Sequence, residues 1–166
     1  MRLSATNDIS AFVRKLEASV QATVKSNELA DLGNEAIRLI VKRTRLGYGV
    51  RGQGFDRYKL PPLSAFYVKQ RQLDGSDLSG DTSPTRSNLT RTGQMLDSMA
   101  VISVKPGAVV VGPQGGRLDG PLGNDDVARW VSVRRPFNYL SRLEQEQLRR
   151  FYRNRFGDLL RNQRLT

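Results

Sequence analysis

Between Leu89 and Gly112 the chain reads LTRTGQMLDSMAVISVKPGAVVVG, and this stretch narrows the possible folds more than any other. A polar turn, Thr92-Gly93-Gln94, opens a short segment in which Met95, Leu96 and Met99 fall at helical spacing. Two Val/Ile-rich runs follow, Val101 to Val104 and Val109 to Val111, on either side of Pro106-Gly107. Together they predict a helical turn running into a β-hairpin. Any fold for this chain must therefore combine helix and strand.

Helical periodicity dominates the flanks. Ile9, Phe12, Val13, Leu16 and Val20 recur at helical spacing, as do Leu29, Leu32, Ala36, Ile37 and Ile40. The pattern predicts helix from about Asp8 to Arg45, with Arg14, Lys25, Arg38 and Lys42 on its polar side. Ser26-Asn27 either caps a second helix or lies on the exposed face of one long helix. Near the C-terminus, Ser141 and Glu144 form an S-x-x-E capping box. Leu148, Phe151, Tyr152, Phe156, Leu159 and Leu160 then mark the apolar side of a final helix, with Arg149, Arg150, Arg153 and Arg161 around its other faces.

The segment from Leu46 to Leu60 behaves differently. Gly47, Gly49, Gly52 and Gly54 alternate with Tyr48, Arg51, Phe55, Arg57 and Tyr58. Glycines at that density disfavour helix. One reading is a pliable arm, residues 47–59, whose aromatic and basic anchors order against a neighbouring subunit. The other is an ordinary surface loop. It is not a phosphate-binding loop, since neither the GxxxxGK[ST] pattern nor a preceding strand is present.

Pro61-Pro62-Leu63-Ser64 ends this segment and starts a short helix with Ser64 as its N-cap and Tyr67, Val68 and Arg71 at helical positions. Residues 74–88 are rich in Ser, Gly, Asp and Thr and read as a loop. Residues 112–123 hold five glycines and two prolines and read as a second. Asn124 then caps a short helix with Asp125 and Asp126 in its first turn, where carboxylates suit the helix dipole. Val127, Trp130 and Val131 mark its apolar side, the single tryptophan reading as core or interface.

Charge and missing residue types limit the chemistry. The chain of 166 residues suits one domain, 1–166, and carries a formal charge of +11. Residues 1–60 hold eleven basic and six acidic residues, or +5. Residues 61–133 hold seven of each. Residues 134–166 hold nine and three, or +6. Two basic regions thus flank a neutral middle, which fits nucleic acid or an acidic protein surface as a partner. Arginine supplies 21 of the 27 basic residues, and its planar fork favours carboxylate pairing at interfaces. There is no histidine, the commonest general base and zinc ligand, and no cysteine for disulfide or thiolate chemistry. No cofactor is expected. Met1 to Asp8 has no apolar core of a secretory signal, and no apolar run approaches the ~18 residues that span a bilayer. No membrane partner is expected.

Four segments, in order, resemble the neck and tail-completion proteins of long-tailed bacteriophages, the family of virion-morphogenesis and tail-terminator-like proteins. Lys59 to Arg71, KLPPLSAFYVKQR, resembles the family's "PLS…Y…K/R" segment through Leu63, Ser64 and Tyr67. Leu89, Thr90, Thr92 and Gly93 resemble its "LT-x-TG" segment. Asn124 to Val131, NDDVARWV, resembles the segment that returns the chain to the sheet. Arg135, Pro136 and Phe137 resemble its "RPF" entry to the final helix. Where many relatives carry His or Gln before a Gly ahead of that entry, this chain has Trp130-Val131-Ser132-Val133, and its glycine-rich arm and 74–88 loop look longer than the family core.

The resemblance implies an α+β fold, an α/β sandwich with a small, mostly antiparallel sheet and long N-terminal and C-terminal helices packed on one face. It also implies a homo-oligomeric ring of six or twelve copies at the neck of the virion. There the ring would join the portal and head-completion complex to the tail tube, with genomic DNA in the lumen, after assembly in the host cytoplasm. On this reading the protein is a structural subunit and not an enzyme. Tyr48, Arg51, Phe55, Arg57 and Tyr58 are the expected inter-subunit anchors, and Arg149, Arg150 and Arg153 the expected DNA-facing or acid-facing cations. Two rivals remain. One is a basic nucleic-acid-binding protein acting in DNA packaging or retention. The other is a metal-dependent enzyme using Asp119, Asp125 and Asp126.

Overall fold

A computed structural model describes residues 26–51, 56–73, 83, 85–90, 92–105, 108–118 and 120–163. Helix α1, Ser26–Arg45, leads to a hairpin of β1, Tyr48–Arg51, and β2, Asp56–Lys59. Helix α2, Ala65–Leu73, and the single turn α3, Gln94–Asp97, precede a second hairpin of β3, Met99–Lys105, and β4, Ala108–Pro113. Helices α4, Asn124–Arg134, and α5, Arg142–Gln163, complete the chain. The fold is mixed α+β, as expected, with both sheets antiparallel and two-stranded. The part of the expected first helix before Ser26 lies outside the described residues, as does the Pro106-Gly107 turn.

Two strands alone are marginal in water, so each hairpin needs a cover. For β3–β4 the cover is α1, whose Gly33 meets the hairpin directly. A Cβ on Gly33 would come within 2.8 Å of methyls on both Val101 and Val109. Val101 pairs with Val111, and an irregularity between Val101 and Ser103 shifts the register. Helix α5 packs along α1, and α4 lies against α3 and β4.

The core forms where these elements meet. Ile40, Met95, Leu96, Ala128 and Phe137 are buried together, with Leu89, Met99, Val127, Val131 and Leu140 packed around them. Full burial of a side chain such as Phe137 or Leu96 contributes about 1.5–3 kcal/mol. Two glycines shape the turns that feed this core. Gly47, with φ of 86°, ends α1 by donating its N–H to the Thr44 carbonyl at 2.8 Å. Gly93, with φ of 75°, starts α3 by accepting the Asp97 N–H at 2.9 Å. Both lie in the left-handed region that L side chains avoid.

The glycine-rich segment 47–59 is a hairpin and not a pliable arm or plain loop. Tyr48 pairs with Lys59 and Arg51 with Asp56, while residues 52–55, including Phe55, lie outside the described residues. The reason is local. Val50 and Leu60 are buried, and the Val50 N–H donates to the Pro136 carbonyl at 3.0 Å. Gly49 allows that approach, because a Cβ there would sit 2.6 Å from the same carbonyl oxygen.

The start of α4 is also corrected. Gly123 is the N-cap and Asn124 the first helical residue. The Asp126 carboxylate accepts the Gly123 N–H at 3.4 Å. Asn124 turns its side chain backwards, donating to the carbonyls of Gln114 and Gly116 at 3.1 and 3.3 Å, and so pins the preceding loop to the helix.

Candidate functional site

A cleft of about 730 Å³ lies between α2, the turn before α3 and α4. Its lining gathers most of the sequence positions that carry the family resemblance. Leu63, Ser64 and Tyr67 come from α2 and its entry; Leu89, Thr90, Thr92 and Gly93 from the turn before α3; Val127 and Val131 from α4; and Arg135 from the residue after it. Pro136 and Phe137 follow immediately, and Phe137 is fully buried in the core. Leu63 and Arg135, far apart in the chain, thus meet at one place.

Local chemistry explains why each wall stands where it does. Ser64 caps α2, accepting the Tyr67 N–H on Oγ at 3.3 Å and the Val68 N–H on its carbonyl at 2.9 Å. Arg71, two turns on, is 2% exposed. It donates to the Arg86 carbonyl at 3.1 Å, and its guanidinium lies 6.0 Å from the centre of the Tyr67 ring. This ties α2 to the 85–90 turn. Leu89 adopts a φ of 56°, unusual for a branched side chain, and packs against the core.

A second arrangement joins α1 and β2 to the start of α5. Glu144 is fully buried at the start of α5 and accepts from four groups. Arg43 and Arg57 donate to its two oxygens, Arg57 at 3.2 Å. The Ser141 N–H and hydroxyl donate at 2.7 and 2.8 Å, as the capping box predicts. Arg43 also donates to the carbonyls of Phe137 and Tyr139, the latter at 2.8 Å. Burial pulls the Arg43 guanidinium below the usual arginine value, while the Glu144 charge opposes that shift. Sequence reasoning missed Arg43. The signal was available: Ala36, Ile40 and Arg43 continue one helical stripe, so a cation stands where an apolar residue is due.

The expected interface anchors do not gather as one patch. Tyr48 is 42% exposed and Arg51 is exposed, but Tyr58 is half-buried. Arg57 is engaged within its own subunit, with Ser141 Oγ at 3.2 Å and with Glu144. Arg149, Arg150 and Arg153 lie exposed on α5, the first two ion-paired to Glu146 at 3.8 and 3.4 Å. Trp130 is 80% exposed, which removes the core reading. Asp125 and Asp126 stand in the first turn of α4, Asp119 lies outside the described residues, and no acidic cluster able to hold a metal occurs among the described residues. No helix among them is long and apolar enough to cross a membrane.

Fold and cleft together define a small α+β protein with a concave, arginine-bearing cleft. Comparison with protein-family models, with curated proteins and with solved structures finds no match.

Proposed function

We propose that this chain is a structural virion protein that forms a ring in the neck of a long-tailed bacteriophage, in a tail-completion or tail-terminator role. The observation that carries the reading is the convergence at the cleft. Positions quoted for the resemblance from four separate segments assemble around one site and its floor.

Exposed apolar side chains support an assembled state. Phe66, Leu73, Leu118, Trp130 and Val133 are each more than three-quarters exposed on one small subunit. Side chains of that size at the surface mark contact faces more often than idle ones when they cluster along neighbouring elements. A ring subunit covers such faces by heterologous contacts with the next copy.

The test is removal of the protein from an infected cell. DNA-filled heads and separate or aberrant tails are the expected outcome, visible by electron microscopy. Normal joined, infectious particles would overturn the proposal. The alternative, a nucleic-acid-binding role in packaging or retention, draws on the exposed Arg149, Arg150 and Arg153 face of α5. It predicts heads without a full genome instead of heads without tails.

A further inference from the structure

We propose that the cleft between α2 and α4 is a binding site for an acidic peptide segment of a partner protein, one that carries a carboxylate beside an apolar side chain. Three guanidinium groups, those of Arg71, Arg117 and Arg135, line it, and no carboxylate stands among its described lining residues. Arg71 is committed to the Arg86 carbonyl and the Tyr67 ring. Arg135 acts electrostatically on the Tyr58 phenol and is otherwise uncommitted among the described residues. It is half-buried, its Nε lies away from solvent without a hydrogen-bond partner, and its side chain makes no ion pair among the described residues. Ser87 lines the same cleft, 7% exposed, with its Oγ also unpartnered.

Buried donors are almost always satisfied in folded proteins, and leaving one unmade is costly. A carboxylate entering the cleft satisfies Arg135 with two parallel acceptors, the geometry for which a guanidinium is built. Apolar side chains share the lining with these polar groups. Phe66 is 77% exposed at the mouth, beside Leu63, with Val131 across on α4. These offer an apolar side chain a surface next to the charge. The volume is that of a small-ligand site, room for a few residues of extended chain. The cations converge on one cleft and do not run along a track, which favours a single carboxylate over a phosphodiester backbone.

The test uses the full-length protein and a fluorescein-labelled hexapeptide, two repeats of Glu-Leu-Asp, followed by fluorescence polarisation. Its amide counterpart, two repeats of Gln-Leu-Asn, and a labelled oligothymidylate of six nucleotides are run beside it. The acidic peptide is expected to bind saturably and at least ~10-fold more tightly than the amide peptide, the yield of one bidentate pair. Arg135→Gln should remove most of that preference. Phe66→Ser, at an exposed position that does not endanger the fold, should weaken the acidic peptide several-fold. Arg150→Gln, on the outer face of α5, should change nothing. Equal binding of the acidic and amide peptides, no saturable binding, tighter binding of the oligothymidylate, or an equal loss in Arg150→Gln would each overturn the proposal. Particle assembly is a separate measurement, so this site and the neck-ring reading stand or fall independently.

Discussion

The guanidinium of Arg43 and the carboxylate of Glu144, 101 residues apart, form an ion pair with side-chain exposures of 1% and 0%. The pair fastens α1 to the first turn of α5, and Phe137, Tyr139, Ser141 and Arg57 supply the remaining acceptors and donors. Breaking a buried pair on one side leaves an uncompensated charge. Glu144→Gln should therefore lower stability by about 3–5 kcal/mol in urea unfolding. Arg43→Met with Glu144→Leu, which removes both charges, should cost clearly less than the sum of the single changes. Strict additivity in the cycle would show that the two groups do not act as a pair.

Ser141 carries more than an ordinary cap. Its hydroxyl donates to Glu144, accepts the Glu144 N–H at 3.4 Å and accepts from Arg57 Nε at 3.2 Å. Ser141→Ala should cost about 2 kcal/mol, the upper end for an N-cap. Ser141→Thr should recover part of that loss. A cost of a few tenths in the alanine variant would reduce the residue to a spectator of the Glu144 site.

Two close backbone approaches require glycine for different reasons. In α1, Gly33→Ala gains up to about 1 kcal/mol of helix propensity but pushes a methyl into Val101 and Val109. The overpacking term, about 1–3 kcal/mol, should win, and Val109→Ala in the same chain should restore part of the loss. At Gly49 the obstruction is the Pro136 carbonyl oxygen, which cannot rotate away. Gly49→Ala should destabilise with no such rescue. Thermal unfolding of the three variants distinguishes the cases. The same packing means that deleting residues 49–54 would remove the buried Val50 along with the hairpin, so that deletion is expected to unfold the subunit and not merely prevent its joining a particle.

Ionisation sets the ends of the stability range. Burial raises the phenol of Tyr58 and that of Tyr152 above the ordinary value near 10. A raised folded-state value means stability is complete below pH ~10 and falls as pH climbs towards the folded value. At the acid end, the hydrogen bond from Arg38 lowers the Glu35 carboxyl. A lowered folded-state value gives stability that is present above the unfolded value of ~4.3 and is lost as pH drops through the folded one. Arg38 is largely exposed, so that contribution is only about 0.3–0.5 kcal/mol. Absorbance at alkaline pH should show two late-titrating tyrosines, and the difference between wild type and Glu35→Gln should vanish in acid. Ordinary phenol titration of all five tyrosines would contradict the burial of Tyr58 and Tyr152.

Where sequence signals were local, they were readable. The Ser64 cap, the Ser141/Glu144 box and the Val101–Val111 hairpin each depend on residues within a few positions of one another. The glycine-rich segment was harder, because Val50 becomes a core residue only through Pro136, 86 positions away. The cleft was legible as four sequence segments but not as one place, since nothing in the spacing of Leu63, Thr92, Val131 and Arg135 says that they share a wall. Arg57 illustrates the same limit. Its neighbours in sequence suggest an inter-subunit anchor, whereas its partner Glu144 lies on the final helix of the same chain.

The span between Arg43 and its partners has a meaning in time as well as in space. All the groups that satisfy Arg43 lie between Phe137 and Glu144. On a ribosome adding 5–20 residues per second, α1 is complete roughly 5–20 s before those partners exist. During that interval the helix carries a bare cation on the side that will become its core, and β1 lacks its acceptor at Pro136. The nascent chain is thereby held open until its last helix arrives. An interrupted product would lack every one of those partners of the cation, so closure of this core is coupled to the synthesis of the first turn of α5.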